Sequence, residues 1–341
     1  MYKISIKKES VRPRVVYIYD LGHYVNNAFA NTVASARSCS RFLGISPPPL
    51  LQIPMALVSQ FRVPAADIYF LEGGACLAVG VFKKMLTGAK IVLRNGDPLF
   101  YTLRSLPPYK REVLKFMIRR VDGILSDSKL SKKMARLYTR VPNEVAYPYV
   151  NVGRFLPVKP NLRSFNLLYL GVLNEFKGVD ILVDAFELIK KEFNNSTLYL
   201  CGKFLGSRKL ETKIRRAEGV SALGFHPVPQ EIMARCSVYL NVARVEPFGI
   251  NVLEAMCAGL IPIVSENVGA KEVVRELDPS LVVSLDPAEI AKKVAKVFRM
   301  PYSKKVGLSR RAKKLASRFT REWSLQNFKE KFWNVVSESY G

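Results

Sequence analysis

The sequence predicts an α/β protein with two doubly wound, Rossmann-like domains that face each other across a cleft. Short runs of β-branched and aromatic residues alternate with longer helical patterns, and the alternation pauses at residues 157–160 before it starts again. At 341 residues the chain is long enough for two domains of ordinary size. The strand-like runs are almost continuously apolar, which is typical of parallel sheets buried on both faces.

We expect the first domain to span residues 1–157 and the second to span residues 158–300. The predicted strands are residues 15–19, 67–71, 90–93 and 123–126 in the first domain, and residues 167–171, 198–202, 238–241, 261–264 and 281–283 in the second. Helical patterns in the second domain cover residues 179–193, 210–217 and 246–259. Open parallel sheets bind ligands at the carboxyl ends of their strands, so the cleft between the domains is the expected site.

The tail, residues 301–341, is basic and helical in pattern. It ends in an amphipathic segment, residues 319–336, that is rich in aromatic side chains. We expect this C-terminal helix to cross back and pack on the first domain.

Composition narrows the classes of function. The formal net charge of +25 favours polyanionic partners, which are nucleic acid, an anionic membrane or phosphorylated substrates. Two histidines exclude a His-rich metal site, and five scattered cysteines without a C-x-x-C pair favour reduced thiols in a cytoplasmic protein. No run of 18 apolar residues and no leader pattern occurs, so neither a membrane span nor a secretory signal is predicted.

Two glutamates, Glu246 and Glu254, frame the most informative segment. Between them Phe248 and Gly249 predict a turn into a helix. Bare N–H groups at the start of a helix attract anions, and a glycine there lets the backbone approach a ligand closely. A carboxylate ahead of the helix and a second one to two turns into it can therefore hold a sugar, a diphosphate and a ribose in a row.

This segment resembles the E-x7-E signature of the family 4 (group 1) retaining glycosyltransferases, which have the GT-B fold. Other segments resemble the motifs of that family in the same order. These are Gly171 to Gly178 for G-R-L-x-x-x-K-G, Leu200 to Gly202 for the strand and turn that follow, Leu223 to His226 for F-L-G-x-V, Ala258 to Val264 for G-x-P-V-V with one extra residue, and Glu272 for the glutamate after a glycine pair.

The resemblance implies a donor site for a nucleotide sugar, with a UDP- or GDP-sugar expected. It assigns Glu246 to the transferred sugar and Glu254 to the ribose hydroxyls. A lysine and the N–H groups of a helix start would stabilise the leaving diphosphate in place of a metal, so no cofactor is expected. The other implied donor-binding residues are Lys177, Phe248, Gly249, Ile250, Asn251, Val252, Gly202, Phe225 and His226.

One residue departs from the family pattern. Val172 stands where the family usually has an arginine, so one phosphate contact is missing unless Lys203, Arg208 or Arg244 replaces it. This departure leaves open two alternatives with the same fold. One is a catalytically altered protein that binds sugar nucleotides, and the other is a sugar phosphorylase.

The first domain carries the candidates for handling the acceptor. His23 follows the first predicted strand and Asp97 follows the third, so each is placed to act as a base or to orient the acceptor hydroxyl. A turn built from Asn95, Gly96 and Asp97 is the alternative reading.

Basic residues of the first domain form two helical stripes. They are Arg111, Lys115 and Arg119 in one, and Lys129, Lys132, Lys133, Arg136 and Arg140 in the other. Basic stripes beside apolar side chains are typical of binding to an anionic membrane surface or to a lipid-phosphate acceptor, while a solvated face is the plainer alternative. A nucleic-acid-binding protein is a further alternative, although no known motif of that class is present.

Together these observations predict a retaining, metal-independent glycosyltransferase at the cytosolic membrane surface. It would move a sugar from a nucleotide-sugar donor to a lipid-linked or glycan acceptor. The identity of the sugar, the base and the acceptor depends on loop geometry that the sequence does not encode.

Overall fold

The computed structural model describes residues 13–19, 24–39 and 63–340, and it contains two parallel six-stranded sheets. The strands of the first sheet are β1 Val15–Tyr19, β2 Ala36–Cys39, β3 Ile68–Glu72, β4 Lys90–Asn95, β5 Gly123–Ser126 and β6 Asn143–Val145. Their order across the sheet is β2-β1-β3-β4-β5-β6. Every neighbouring pair is parallel, as the apolar runs predicted.

Helices cover both faces of the first sheet. They are α1 Tyr24–Val33, α2 Leu77–Thr87, α3 Leu99–Thr102, α4 Pro108–Ile118 and α5 Lys129–Ala135. Alternate residues of each strand point to opposite faces. Val16, Tyr69 and Ile91 pack under α2 to α5, whereas Tyr17 and Phe70 pack under α1 on the other side.

A short helix, α6 Val152–Phe155, leads into the linker between the two sheets. The ammonium group of Lys313 donates hydrogen bonds to the carbonyl oxygens of Leu156, at 2.8 Å, and Val158, at 2.6 Å. The linker is therefore fixed against the second domain near the predicted break at residues 157–160.

The second sheet repeats the doubly wound plan. Its strands are β7 Leu167–Leu170, β8 Leu198–Cys201, β9 Val220–Gly224, β10 Val238–Asn241, β11 Ile261–Ser265 and β12 Val282–Val283, in the order β12-β11-β10-β7-β8-β9. Its helices are α7 Val179–Glu192, α8 Arg208–Arg216, α9 Pro229–Met233, α10 Ile250–Ala258, α11 Lys271–Leu277 and α12 Pro287–Phe298. Strands β7 and β10 lie side by side although the chain connects them through β8 and β9, so the strand order reverses between them.

The predicted tail forms two helices that pack on different domains. Helix α13, Tyr302–Ala316, packs on α10, α11 and β11 of the second domain. Helix α14, Arg321–Glu338, returns to the first sheet, where Phe328 and Phe332 are buried against Phe29 and Phe70. The predicted α/β class, with two Rossmann-like domains and a last helix packed on the first, is confirmed. Within the described ranges, no helix is both long enough and apolar enough to cross a bilayer.

Candidate active site

The donor residues predicted from the sequence meet where the strand order of the second sheet reverses. The loop after β7 carries Lys177, and the loop after β10 carries Glu246. Gly178 allows the two loops to touch, because a Cβ at this position would lie 2.0 Å from the carbonyl oxygen of Val242. Its φ of 71° is also in the left-handed region that favours glycine. The reversal point of a doubly wound sheet is the usual ligand crevice of such folds.

Lys177 and Glu246 form an ion pair across this crevice. The ammonium nitrogen of Lys177 lies 2.8 Å from Oε2 of Glu246, and both side chains are partly accessible to solvent. The backbone of Glu246 is held on both sides, since its N–H donates to Asn267 at 3.1 Å and its carbonyl accepts from Gly269 at 2.9 Å. A partly accessible carboxylate beside a cation thus lies in the crevice on a segment whose backbone is fixed.

The helix that follows presents its N-terminus to the same place. Helix α10 begins after Gly249, which has a φ of 90° and provides no side-chain cap. The amide of Asn251 donates to the carbonyl of Leu170 at 2.8 Å, which holds the helix start against the end of β7. The first N–H groups of a helix have no partner within the helix. However, the N–H of Val252 donates to the carbonyl of Gly249 at 2.9 Å, so this predicted donor already has a partner. The helix also begins at Ile250, four residues later than the sequence predicted.

Glu254 lies one turn into α10 with a largely buried carboxyl group. Burial raises its pKa to about 7, and the positive charge of Arg154 offsets this only in part. The carboxylate form is therefore destabilised in the free protein. A ligand that donates hydrogen bonds to this carboxylate would favour its ionised form.

Phe225 and Gly202, predicted beside the nucleobase, line a cavity of about 460 Å³ at the ends of β8 and β9. Phe225 is 79% exposed, so its ring is open to a planar partner. His226, also predicted beside the base, has its Nε2 3.8 Å from a carboxylate oxygen of Glu231.

The structure also bears on the missing arginine at Val172. Arg244 is committed elsewhere, because it holds both carboxylate oxygens of Asp180 at 2.7 Å and also donates to the carbonyl of Glu175. Lys203 lines the cavity beside Phe225. Arg208 begins α8 and is exposed. Arg244 was one of three residues considered as replacements for the missing arginine. Its guanidinium group is already bound to Asp180 and Glu175.

In the first domain, Asp97 orders a loop at the end of β4. Its two oxygens accept hydrogen bonds from the N–H groups of Gly74, at 2.7 Å, and Leu99, at 3.1 Å. Burial raises its pKa, and the charges of Asp127 and Glu72 add to the shift. These hydrogen bonds agree with the alternative that Asp97 is part of a turn. The role of Asp97 as a base stays a prediction. His23 lies outside the described residues.

Sequence reasoning missed a buried group of charges at the same edge of the first sheet. Arg94 is 3% exposed, pairs with Asp127 at 3.2 Å and stacks on the ring of Phe29. Next to it the hydroxyl of Tyr17 donates to Glu72. The only signal in the sequence was the polar ending of each apolar run, which gives no information on pairing between strands.

The second basic stripe does not form one helical face. Helix α5 ends at Ala135, so Arg136 caps it and Arg140 lies beyond it. The single face predicted over residues 129–140 was wrong in this respect, because the chain turns at residues 136–138. Lys132, Arg136 and Arg140 still line one depression, which they share with Glu144 and Glu338. Lys129 and Lys133 are exposed.

The first stripe lies on α4 beside exposed apolar side chains. Lys115 pairs with Glu112 at 2.9 Å, Arg111 approaches the same carboxylate at 3.7 Å, and Arg119 caps the helix. In the parts of the chain that the structure describes, no group of three histidine, cysteine or acidic side chains is arranged to hold a metal ion.

Comparison with known proteins gives a family match for the second domain. Residues 157–315, which contain the whole crevice described above, match the family model "Glycosyl transferases group 1". Residues 157–315 belong to the group 1 glycosyltransferases. The resemblance predicted from the glutamate pair is thereby confirmed.

Curated relatives share only part of their length with this chain. Soluble starch synthase 1 of Solanum tuberosum is 31% identical over 131 residues, which are 36% of this chain and 20% of that protein. EpsD of Bacillus subtilis is 27% identical over 188 residues, which are 50% of this chain and 49% of that protein. The chain therefore spans a fifth to a half of the length of these relatives.

Solved structures match almost the whole chain. HepE of Anabaena, in complex with UDP and glucose, superposes with a TM-score of 0.75 at 16% identity, covering 94% of this chain and 100% of that one. Sucrose-phosphate synthase from Thermosynechococcus elongatus gives a TM-score of 0.75 at 14% identity and covers 95% of this chain and 99% of that one. At these identities the likeness shows the fold, which is the GT-B fold of glycosyltransferases.

Proposed function

We propose that this protein is a retaining glycosyltransferase that moves a sugar from a nucleotide-sugar donor to a lipid-linked or glycan acceptor at a membrane surface, without a metal ion. The observation that carries the proposal is the juxtaposition of Lys177, Glu246 and the start of α10 at the reversal point of the second sheet. These groups supply one cation, one carboxylate and free N–H donors within a single crevice.

The donor would lie along α10. Its diphosphate would accept hydrogen bonds from the N–H groups of Ile250 and Asn251, where the helix dipole favours negative charge. The ribose hydroxyls would donate to Glu254, whose carboxyl group is largely buried. The base would reach towards Gly202 and Phe225 at the neighbouring strand ends. The HepE structure is a complex with UDP and glucose, which supports a UDP-sugar as the donor.

The chemistry requires stabilisation of charge on both sides of the breaking bond. The leaving diphosphate gains negative charge, and Lys177 with the helix N–H groups can stabilise that charge without reorganisation. Lys177 already reaches Glu246 at 2.8 Å, so binding of the donor would exchange this carboxylate for phosphate oxygen. Glu246 would then be free to hold hydroxyl groups of the transferred sugar and to stabilise positive charge on its ring. Retention of configuration follows the family and would require the acceptor to attack from the leaving-group side.

Contact with a membrane would use the outer surface of α2 and α4. Lys84 of α2 donates to the carbonyl of Arg120 at 2.9 Å, so the ends of these helices adjoin. The same two helices carry exposed apolar side chains, which are Met85, Leu86, Tyr109, Val113 and Phe116. The basic residues Lys83, Lys110, Arg111, Lys115, Arg119 and Arg120 lie on the same two helices or at the end of α4. Apolar side chains among basic ones suit an anionic surface, where each Lys or Arg contributes about 1 kcal/mol.

An assay of donor turnover tests the proposal. The purified protein would be incubated with UDP-glucose, UDP-N-acetylglucosamine and GDP-mannose, and release of UDP or GDP would be measured with and without glycan or lipid acceptors. We expect turnover with at least one donor and a large loss in Glu254→Ala. Turnover that is unchanged in Glu254→Ala would contradict the assigned site.

Val172 and the commitment of Arg244 to Asp180 favour one second candidate, a protein that binds sugar nucleotides without transferring sugar. The same experiment separates the two functions when it is combined with calorimetry. Binding of UDP or GDP without transfer to any acceptor would support the binding protein.

A further inference from the structure

The carbonyl group of Pro247 is the point at which the first domain contacts the donor loop. Pro247 follows Glu246 directly. Its oxygen accepts hydrogen bonds from the hydroxyl of Ser128, at 2.6 Å, and from the hydroxyl of Ser131, at 3.0 Å. Both serines are completely buried. A carbonyl oxygen has two lone pairs, so these two donors satisfy it fully.

The donors come from the other domain, more than 110 residues earlier in the chain. Ser128 caps the N-terminus of α5 by accepting from the N–H of Ser131, which leaves its own hydroxyl hydrogen for Pro247. The hydroxyl of Tyr101 lies 3.2 Å from that of Ser131 and can donate to it. Oγ of Ser128 also lies 3.2 Å from Oγ of Ser131, so the hydroxyl of Ser128 has a second acceptor beside the closer oxygen of Pro247.

Gly269 makes this close approach possible. A Cβ at position 269 would lie 2.0 Å from the carbonyl oxygen of Pro247 and 2.7 Å from the hydroxyl oxygen of Ser128. The N–H of Gly269 also donates to the carbonyl of Glu246 at 2.9 Å. The donor loop is thus held between a strand connection of its own domain and the helix α5 of the other.

A second contact joins the same surfaces. The N–H of Lys129, the first residue of α5, donates to a carboxylate oxygen of Glu272 at 3.1 Å. The ring of Tyr147 lies 6.1 Å from that of Phe248, centre to centre. The start of α5 therefore contacts the donor loop at Pro247 and the first turn of α11 at Glu272, and a rotation of the domains away from each other would break these contacts together.

We propose that Ser128 and Ser131 are positioning residues of the transfer reaction: they hold Pro247 and thereby fix the Glu246 carboxylate when the cleft is closed. This inference rests on the proposed function. It predicts a larger effect on turnover than on donor binding, because the diphosphate and ribose contacts lie within the second domain, whereas the alignment of Glu246 depends on contact with the first.

The test compares Ser131→Ala, Ser128→Ala and Ser128→Thr with the wild-type protein. Loss of one hydroxyl leaves the buried carbonyl of Pro247 with one hydrogen bond fewer. A loss of that size in the transition state corresponds to about a tenfold fall in rate. We expect kcat for UDP-sugar turnover to fall about tenfold in each alanine variant, while the Kd for UDP changes little. Ser128→Thr keeps both the cap and the hydroxyl, so it should retain most of the kcat of the wild type.

Hydrogen exchange of residues 246–252 supplies a readout that does not depend on turnover. We expect faster exchange in Ser131→Ala and, more strongly, in Gly269→Ala, whose new methyl group would displace Pro247. Thr320→Ala is the control, because its side chain caps the N-terminus of α14 through the N–H of Trp323 and not through residues 246–252, so its loss should leave both kcat and this exchange unchanged.

The possible failures are distinguishable. A wild-type protein that neither binds nor turns over any nucleotide sugar overturns the proposed function. Unchanged exchange of residues 246–252 in Ser131→Ala overturns the positioning role whatever the turnover. A fall in kcat that is equal in Ser131→Ala and in the control Thr320→Ala also overturns it, because general destabilisation would then explain the loss.

Discussion

The two halves of this molecule share one fold but build their cleft-facing edges in different ways. In the second domain the edge consists of backbone: glycines at close approaches, the N-terminus of α10 and a few fixed side chains. In the first domain the corresponding edge consists of paired side chains, of which Arg94 with Asp127 and Tyr17 with Glu72 are the clearest. A site made of backbone suits a ligand part that never changes, such as a diphosphate. A site made of side chains can differ from one acceptor to another.

Loss of Glu246 tests the donor half and should have the largest effect. Glu246→Gln removes the charge that the proposal places beside the breaking bond but keeps the shape of the side chain. We expect turnover to fall by roughly 100-fold to 1,000-fold, as for other groups that stabilise transition-state charge, with a much smaller change in the Kd for UDP. Steady-state kinetics and calorimetry measure the two quantities. Glu266→Gln, an exposed glutamate near the same strand ends, should behave as the wild type.

Loss of Arg94 tests the other half through stability. Arg94→Met leaves the buried carboxylate of Asp127 without its partner, which should lower the free energy of unfolding by about 3 kcal/mol. Thermal unfolding monitored by circular dichroism measures the change. The double variant Arg94→Met with Asp127→Leu removes both charges and should recover most of the loss. If the single variant were as stable as the wild type, the pair would not be buried as described.

The raised pKa of Glu254 predicts a pH dependence of donor binding. In the proposed site the ribose hydroxyls would donate to the carboxylate form of Glu254. Binding should then weaken up to about tenfold per pH unit as the pH falls below about 7, the pKa to which burial raises this group. Binding at pH 6 should release a proton, which calorimetry in two buffers of different ionisation enthalpy detects. The stability of the free protein should change in the opposite direction. The contribution of Glu254 to the free energy of unfolding falls as the pH rises from 4.5 to about 7, because the unfolded chain ionises this group first. A Kd for UDP that is constant from pH 6 to pH 8 would contradict this role of Glu254.

The proposed membrane surface gives the smallest expected effect. Phe116 on α4 is 48% exposed, and inserting half of its ring into a bilayer should contribute enough for a roughly fivefold change in binding. Phe116→Ser should therefore weaken sedimentation with vesicles that contain phosphatidylserine. Leu188→Ser, on α7 of the second domain, has a similar exposure and should not. Equal binding of all three proteins would rule out α4 as the contact.

The same contrast explains how much could be predicted from the sequence. In the second domain Gly178 stood out through its motif and Gly249 through its place at a predicted helix start. The structure adds that both have a positive φ, which restricts the residue types that fit. In the first domain the pairing of Arg94 with Asp127 depends on which strands are neighbours, and strand order is not written in the hydrophobic pattern. Short elements were also missed, such as β6 at the edge of the first sheet.

The contact between Ser128 and Pro247 was beyond prediction for a related reason. It joins residues 119 positions apart in two domains, and each serine alone resembles an ordinary helix cap or a buried helix residue. The basic stripe over residues 129–140 failed because a helical wheel assumes a continuous helix, whereas the chain leaves the helix after Ala135. Local sequence patterns were thus enough to predict most helices and strands and the E-x7-E segment. Contacts between residues far apart in the chain could be seen only in the structure.

The most direct test of the central claim is a calorimetric titration of UDP into the wild-type protein and Lys177→Met, each with EDTA and with excess magnesium. The proposed site predicts that the wild type binds UDP equally well in both conditions. Removal of the charged hydrogen-bond donor should weaken binding by about tenfold or more in Lys177→Met. Binding that needs magnesium, or a Kd that is the same in Lys177→Met as in the wild type, would contradict a donor site formed by Lys177 and the start of α10.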